Sequence, residues 1–239
     1  MVTFADKLWR SGLFPENIRY CLEKSIVFPV SWQMSSDSLR VHTGGFTFTN
    51  GYLLSGQGGH VGVDAPEGFA DWLERLGVKL EALLLTHWHF DHVVDAARLA
   101  REHGCPVYAW GPSTPESRLE LHLKQWAGLD FSVENYPVDH CLEGVPGITV
   151  GGRAFRVEHV PGHSPDSVIF IEAAAARVFT GDTLMQQGIG RSDFPDGDGE
   201  LLVRGIREKI LGLPEVWAVF SGHGRPTTIG SERESNPCL

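Results

Sequence analysis

The sequence predicts an α/β protein built from two packed sheets with helices on the outer faces. Three observations predict it. Short β-branched and aromatic runs open the readable part of the chain, apolar strands then alternate with helical periods, and a second group of strands precedes a last helix and strand. A chain of 239 residues that is 42% hydrophobic can bury one sizeable core. No short-period repeat or low-complexity linker divides it, so residues 1–239 read as a single domain, with 1–38 as an N-terminal extension.

Within that extension, Ala5–Trp9 and Asn17–Leu22 fit short helices and Ile26-Val27-Phe28 is an apolar piece stopped by Pro29. It lacks convergent polar residues and is expected to pack on the main domain or to form a homodimer contact. From Leu39 the pattern becomes strands: Leu39–His42, Phe46–Phe48, Tyr52–Leu54 and His60–Asp64, separated by Gly44-Gly45 and Asn50-Gly51. Phe69, Trp72, Leu73 and Leu76 have helical spacing, with Gly77 as the stop. Leu83–Leu85 is a buried strand, Asp91–Glu102 a helix closed by Gly104, and Val107–Ala109 a short strand. Thr114-Pro115 starts a helix in cap-then-proline order, with Leu119, Leu123 and Trp126 along one side. Strands follow at 148–150, 155–160, 168–172 and 177–180, then the amphipathic helix Glu200–Leu211 and the strand Trp217–Phe220.

The formal net charge of −10, without a Lys/Arg cluster, argues against a nucleic-acid partner. Cys21, Cys105, Cys141 and Cys238 form no CxxC pair, so a thiolate zinc site is not expected and reduced thiols are. The first ten residues carry charges and no long apolar stretch, and no apolar run approaches a membrane span. A cytoplasmic protein without a membrane partner is the expectation.

Chemistry converges on Thr86-His87-Trp88-His89-Phe90-Asp91-His92, directly after the apolar Leu83–Leu85. Three later strands also end in residues that bind metals: Val157–Val160 runs into Pro161-Gly162-His163, Val178–Thr180 into Gly181-Asp182, and Trp217–Phe220 into Ser221-Gly222-His223. Strand ends on one edge of a sheet share one crevice. The candidates are His87, His89, Asp91, His92, His163, Asp182 and His223. Five histidines and two aspartates exceed the three or so protein ligands of a catalytic zinc. Two divalent ions about 3.5–4 Å apart would accommodate all seven. Alternation sends His87 and His89 from an extended loop toward one ion, while Asp91 and His92, at the helix start, are displaced toward the other. Taken singly, Asp91 could be an N-cap, Asp182 a turn residue, and each histidine a loop residue. His42, His60, His103, His122, His140 and His159 lack this context and read as structural or surface residues.

Thr86–His92 matches the THxHxDH signature of the metallo-β-lactamase superfamily, and Pro161–Ser164, Phe179–Leu184 and Ser221–Gly224 resemble its later ligand motifs in order. Gly190–Phe194 and the tail Thr228–Arg233 with Asn236-Pro237 are similar to the glyoxalase II-like (hydroxyacylglutathione hydrolase-like) branch. The resemblance covers about residues 39–239 and implies the four-layer αβ/βα sandwich. It implies His87, His89 and His163 on the first metal, Asp91, His92 and His223 on the second, and Asp182 bridging, with Asp91 and Asp182 as the catalytic carboxylates. Asp64 matches the aspartate that supports the ligand loop from behind. Arg191 and Asp193 fit a motif beside the site, as substrate contacts or as an ion pair bracing a loop.

The function so implied is a metal-dependent hydrolase that cleaves a small thioester or ester with a metal-bridging hydroxide. The metals would be two divalent ions, zinc first, with iron or manganese also suited to imidazole and carboxylate. An iron-dependent persulfide dioxygenase, using His163, Asp182 and one early histidine, is the alternative, followed by a lactonase or β-lactamase. Glyoxalase II enzymes hold glutathione on a C-terminal helical domain, for which too few residues follow His223. Residues 114–127 and the loop to Tyr136 are expected to provide a substitute pocket wall, with Trp126 and Tyr136 on it.

Overall fold

The computed structural model describes residues 38–239, so the readings at Ala5–Trp9, Asn17–Leu22 and 26–28 lie outside the described residues. Two six-stranded mixed sheets form its centre. The first is ordered β1 (Ser38–Gly44), β2 (Thr49–Gly56), β3 (Gly59–Val63), β4 (Ala82–Leu84), β5 (Val107–Ala109), β6 (His140–Cys141). It is antiparallel from β1 to β3 and parallel from β3 to β6. The second contains β7 (Gly147–Val150), β8 (Arg153–His159), β9 (Val168–Glu172), β10 (Arg177–Gly181), β13 (Ala218–Ser221) and β14 (Thr227–Thr228). Its order is β14-β13-β10-β9-β8-β7, and only the β10–β13 pair is parallel. A small hairpin, β11 (Leu184–Met185) and β12 (Gly188–Ile189), stands apart.

Side-chain alternation divides the interior into three apolar layers. Tyr52 and Leu54 of β2 point between the sheets, where Val61, Val63 and Leu84 meet Phe155, Val157, Phe170 and Phe179. The intervening Leu53 faces outward, under α1 (Phe69–Leu76), α2 (Phe90–Val93), α3 (Ala96–His103) and α4 (Glu120–Ala127). On the second sheet Ile169, Ile171 and Val178 face the other way, under α5 (Gly199–Lys209) and α6 (Ile229–Ser235). The period of two thus gives each sheet one face toward its partner and one toward helices, which is the four-layer sandwich. Both faces of β9 are covered, and its five residues are all buried. Burying Phe170 or Phe179 fully stabilises by roughly 1.5–3 kcal/mol over leaving it exposed. Arg153 ties the sheets at one end: its guanidinium donates to Ser55 O at 2.9 Å and to Glu172 at 2.7 Å, and Arg177 donates to the same carboxylate at 2.6 Å.

Several elements differ from the sequence reading. Residues 45–48 form a turn rather than a strand, and Asn50-Gly51 belongs to β2 rather than to a turn. Gly51 serves close approach, since a Cβ there would meet Pro66 Cδ at 2.6 Å. The helix over 91–102 is two helices, because Ala65 inserts at the break: its N–H donates to His92 O at 2.7 Å and its carbonyl accepts from Asp95 N at 3.0 Å. The helix expected from Thr114 begins at Glu120, since Leu119 is left-handed (φ 62°) and Thr114 and Ser117 close a local turn. Strands β6, β11, β12 and β14, each of two residues, are too short to show periodicity. Cys105, Cys141 and Cys238 are free thiols. Among the described residues no helix is long and apolar enough to cross a membrane.

Candidate metal centre

All the strands that deliver candidate ligands end at one edge of the sandwich. Beyond β4, Thr86 joins the two sheets: its carbonyl accepts from Val168 N at 2.8 Å. Its N–H and hydroxyl both donate to Asp64, the residue after β3, at 2.8–3.0 Å. Asp64 is left-handed (φ 58°), a conformation aspartate tolerates better than most residues. Its Oδ2 also lies 2.9 Å from Nδ1 of His92. With the carboxylate as acceptor, Nδ1 carries a proton, so the ring offers Nε2 to a cation in the cleft once its second proton is displaced.

Among the described residues, three overlapping groups have donor atoms within 4.8 Å of one another: His87, His89 and His163; His87, His92 and Asp182; and Asp91, His92 and His223. Asp182 faces both sides of the cleft, 3.6 Å from His163 Nε2, 3.4 Å from His92 Nε2 and 3.2 Å from His223 Nε2. Asp91 Oδ2 lies 3.4 Å from His223 Nε2. Asp91 does not cap α2; the cap position is His89 and no side chain bonds there. Gly222 makes room for the assembly, since a Cβ would collide with Asp182 Oδ1 and with the His92 ring. All seven side chains named from the sequence come together here, with Asp64 behind them.

The donor set fits divalent cations. His87, His92, His163 and Asp182 are buried, yet Nε2 of each histidine and Asp182 Oδ1 have no hydrogen-bond partner among the described residues. Buried polar atoms seldom remain unpaired, so several aimed at one cleft point to an ion. Electrostatics divides the cleft. Burial pushes the His87, His89 and His163 rings below the usual histidine range, so they are neutral donors. Burial opposes charge on His223 too, but Asp182 and Asp91 raise it to about 10. His92 is raised likewise against burial, by Asp91, Asp182 and Asp64. Against burial, His92 and His223 hold Asp91, and His223 and His92 hold Asp182, below the usual carboxylate range.

Arg191 and Asp193 brace a loop at the rim. The guanidinium donates twice to the Asp193 carboxylate, at 2.7 and 2.6 Å, and sits 4.3 Å from the Phe194 ring. The Arg191 carbonyl lies 2.7 Å from His163 Nδ1, which orients that ring. Phe194 stands edge-on to His89 and His163, at 5.4 and 6.0 Å between centroids, and Trp126 stacks on it at 5.8 Å. Trp126 therefore reaches the rim through Phe194, whereas Tyr136 packs into the outer core layer. The tail motif supports the same loop: buried Glu232 accepts from Gln187 N, and Asn236 Nδ2 donates to Gly188 O in the hairpin preceding Gly190.

The remaining histidines keep structural or surface places. His60 bonds Ser55, His103 accepts from Leu80 N, and His159 stacks on Trp110. Sequence reasoning missed Thr49 and Asn50. Thr49 Oγ1 donates to Asp91 Oδ2 at 2.6 Å, and Asn50 Nδ2 donates to Ser221 O and Gly224 O around His223. Their one sequence signal, a polar pair before Gly51, reads as a turn.

The chain is similar to several known proteins. The family model for the metallo-beta-lactamase superfamily matches residues 44–223. Hydroxyacylglutathione hydrolase GloC of Haemophilus influenzae is 40% identical over 171 residues, covering 70% of this chain and 79% of that protein. The crystal structure of BLEG-1 B3 metallo-beta-lactamase is 36% identical with a TM-score of 0.75, covering 84% of this chain and 98% of that one. The structure of TTHA1623 in a di-iron-bound form is 35% identical with a TM-score of 0.73, covering 84% of this chain and all (100%) of that one.

Proposed function

We propose, from the premise that this chain belongs to the metallo-beta-lactamase superfamily, that it is a binuclear metal-dependent hydrolase of a small thioester or ester. The observation that carries the reading is the position of Asp182, within 3.2–3.6 Å of His92, His163 and His223 and so facing both halves of a seven-residue donor set. His87, His89 and His163 would hold one ion, Asp91, His92 and His223 the other, and Asp182 would be shared. Divalent ions bound there would supply an acidified water as nucleophile and an electrophile for the substrate carbonyl. Zinc, iron and manganese all suit the donors.

The chain's own residues supply the rest. Asp91 and Asp182 are ionised, so they accept hydrogen bonds and orient whatever donor enters between them. Asp64 fixes the His92 tautomer, and the Arg191 carbonyl fixes His163. Phe194 and Trp126 offer an apolar wall beside His89, where an acyl chain or thiol portion can exclude water. No serine or cysteine is needed as nucleophile: Ser221 donates to His223 O, and Ser164 to Asp166.

Likeness to a relative named for hydroxyacylglutathione supports a thioester first. The test is a panel of S-lactoylglutathione, a non-glutathione thioester, a carboxylic ester, a lactone and a β-lactam, run beside elemental analysis. Thioester cleavage lost on chelation and restored by metal is expected. Full activity in metal-free protein overturns the reading. Oxygen uptake on glutathione persulfide with one iron per chain replaces it with an oxidoreductase.

A further inference from the structure

Thr49 belongs to none of the motifs that carry donor atoms. It is fully buried at the start of β2, forty-two positions before Asp91, and its hydroxyl donates to Asp91 Oδ2 at 2.6 Å. That oxygen is also the one 3.4 Å from His223 Nε2 and 3.7 Å from His92 Nε2. A carboxylate accepts only, so Thr49 must give its proton to Asp91. The second bond of the hydroxyl, 3.0 Å from Thr47 Oγ1, must then run from Thr47 to Thr49. The result is a directed chain, Thr47 to Thr49 to Asp91, that fixes the rotation of one carboxylate.

The same strand start holds the opposite side of the group. Thr49 forms an isolated bridge with His223, Asn50 N–H donates to Gly222 O at 2.7 Å, and Asn50 Nδ2 donates to Ser221 O and Gly224 O on either side of the Gly222-His223 pair. Thr43 Oγ1 in turn donates to Asn50 Oδ1 at 2.7 Å and sets that amide. Bracing of the other half comes from elsewhere: His163 Nδ1 meets Arg191 O at 2.7 Å, and His87 Nδ1 lies 3.1 Å from Thr86 Oγ1.

We propose that Thr49 is a positioning residue that sets the affinity of the Asp91/His92/His223 half of the centre for its cation, independently of the His87/His89/His163 half. The proposal rests on the two-ion reading above. Partners one bond behind a ligand change metal affinity about 10–100-fold when removed. Thr49 can do so for one half alone because its hydroxyl touches one ligand, and that ligand belongs to one half.

The test is zinc titration of metal-free full-length chain, read by calorimetry and by competition with a chromophoric chelator. Wild type should bind two zinc ions in two steps, and His223→Ala, by losing one step, identifies the one belonging to the Asp91 half. Thr49→Val should weaken that step about 10–100-fold and leave the other within about twofold. Thr49→Ser keeps the hydroxyl and should restore it, and Thr49→Ala must repeat the selective loss if the valine variant does not fold. Equal weakening of both steps, no weakening, or a serine variant that behaves like valine overturns the proposal. One step in wild type overturns the two-ion reading instead, and the Thr49 proposal with it.

Discussion

His92 Nδ1 lies 2.9 Å from Asp64 Oδ2 at the fully buried back of the cleft, and the same carboxylate accepts the N–H and the hydroxyl of Thr86. Three donors from two points of the Thr86–His92 loop therefore meet one aspartate. Asn at 64 must aim an amide N–H at one of them. Asp64→Asn is expected to lower metal affinity about 10–100-fold, with zinc titration as the measurement. Affinity equal to wild type would show that the ligand loop holds its shape without Asp64.

Metal binding should displace protons. In the metal-free cleft Asp182 and Asp91 raise His223 to about 10, and with Asp64 they raise His92, so both rings are charged near neutral pH. His87, His89 and His163 are neutral. Loading the Asp91 half at pH 7 should release about two protons, and loading the other half about none. Calorimetry in buffers of different ionisation enthalpy measures this directly, and equal release from both halves would contradict it. Saturation at a hundredfold excess over Kd should add about 2.7 kcal/mol of stability.

Phe194 and Trp126 form the aromatic rim over His89 and His163. Phe194→Ala should lower kcat/KM about 3–10-fold, mostly through KM, since it removes binding surface rather than charge stabilisation. Trp126→Ala should give the smaller effect of the same kind. Tyr136→Phe should leave both constants unchanged, because that ring packs into the core layer under the helices. Steady-state kinetics on the best thioester of the panel measures all three, and a loss at Tyr136→Phe as large as that at Phe194→Ala would place the Tyr136 hydroxyl at the substrate.

Asp166 carries a pH-dependent cost. Burial pushes its carboxyl up to about 7, against the hydrogen bond from Ser164. An unfolded aspartate ionises near 3.9, so the unfolded chain loses this proton first as pH rises. Stability then falls by up to about 1.4 kcal/mol per pH unit between about 4 and 7, and levels off above. Asp166→Asn feels none of this. In urea unfolding of the metal-free protein, the asparagine variant should gain on wild type from pH 5 to pH 8. A stability difference that does not change with pH would refute the assignment.

The donor residues are legible in the sequence because each follows an apolar strand and three have glycine beside them, a local pattern that survives without tertiary information. The sheets are legible as short aromatic and β-branched runs between turn residues, but Tyr52, Leu53 and Leu54 form one apolar run, and only packing shows that Leu53 faces the helices while its neighbours face the other sheet. Phe46–Phe48 misleads because an aromatic run in a tight turn has strand composition, and Asn50-Gly51 misleads because a glycine kept for the approach of Pro66 resembles one kept for a turn. The break of the helix after Val93 depends on Ala65, twenty-eight positions upstream, and no local window contains both.

By itself, then, the sequence determined two packed sheets with outer helices and the seven converging side chains, since residue pattern and chemistry are properties of short segments, and its motifs, through the family they resemble, implied the supporting Asp64 and the shared Asp182. Only the tertiary structure decided which histidines are charged and that Thr49 holds Asp91. Those depend on distances of about three ångströms between residues tens of positions apart, which are fixed when the two sheets pack and not before.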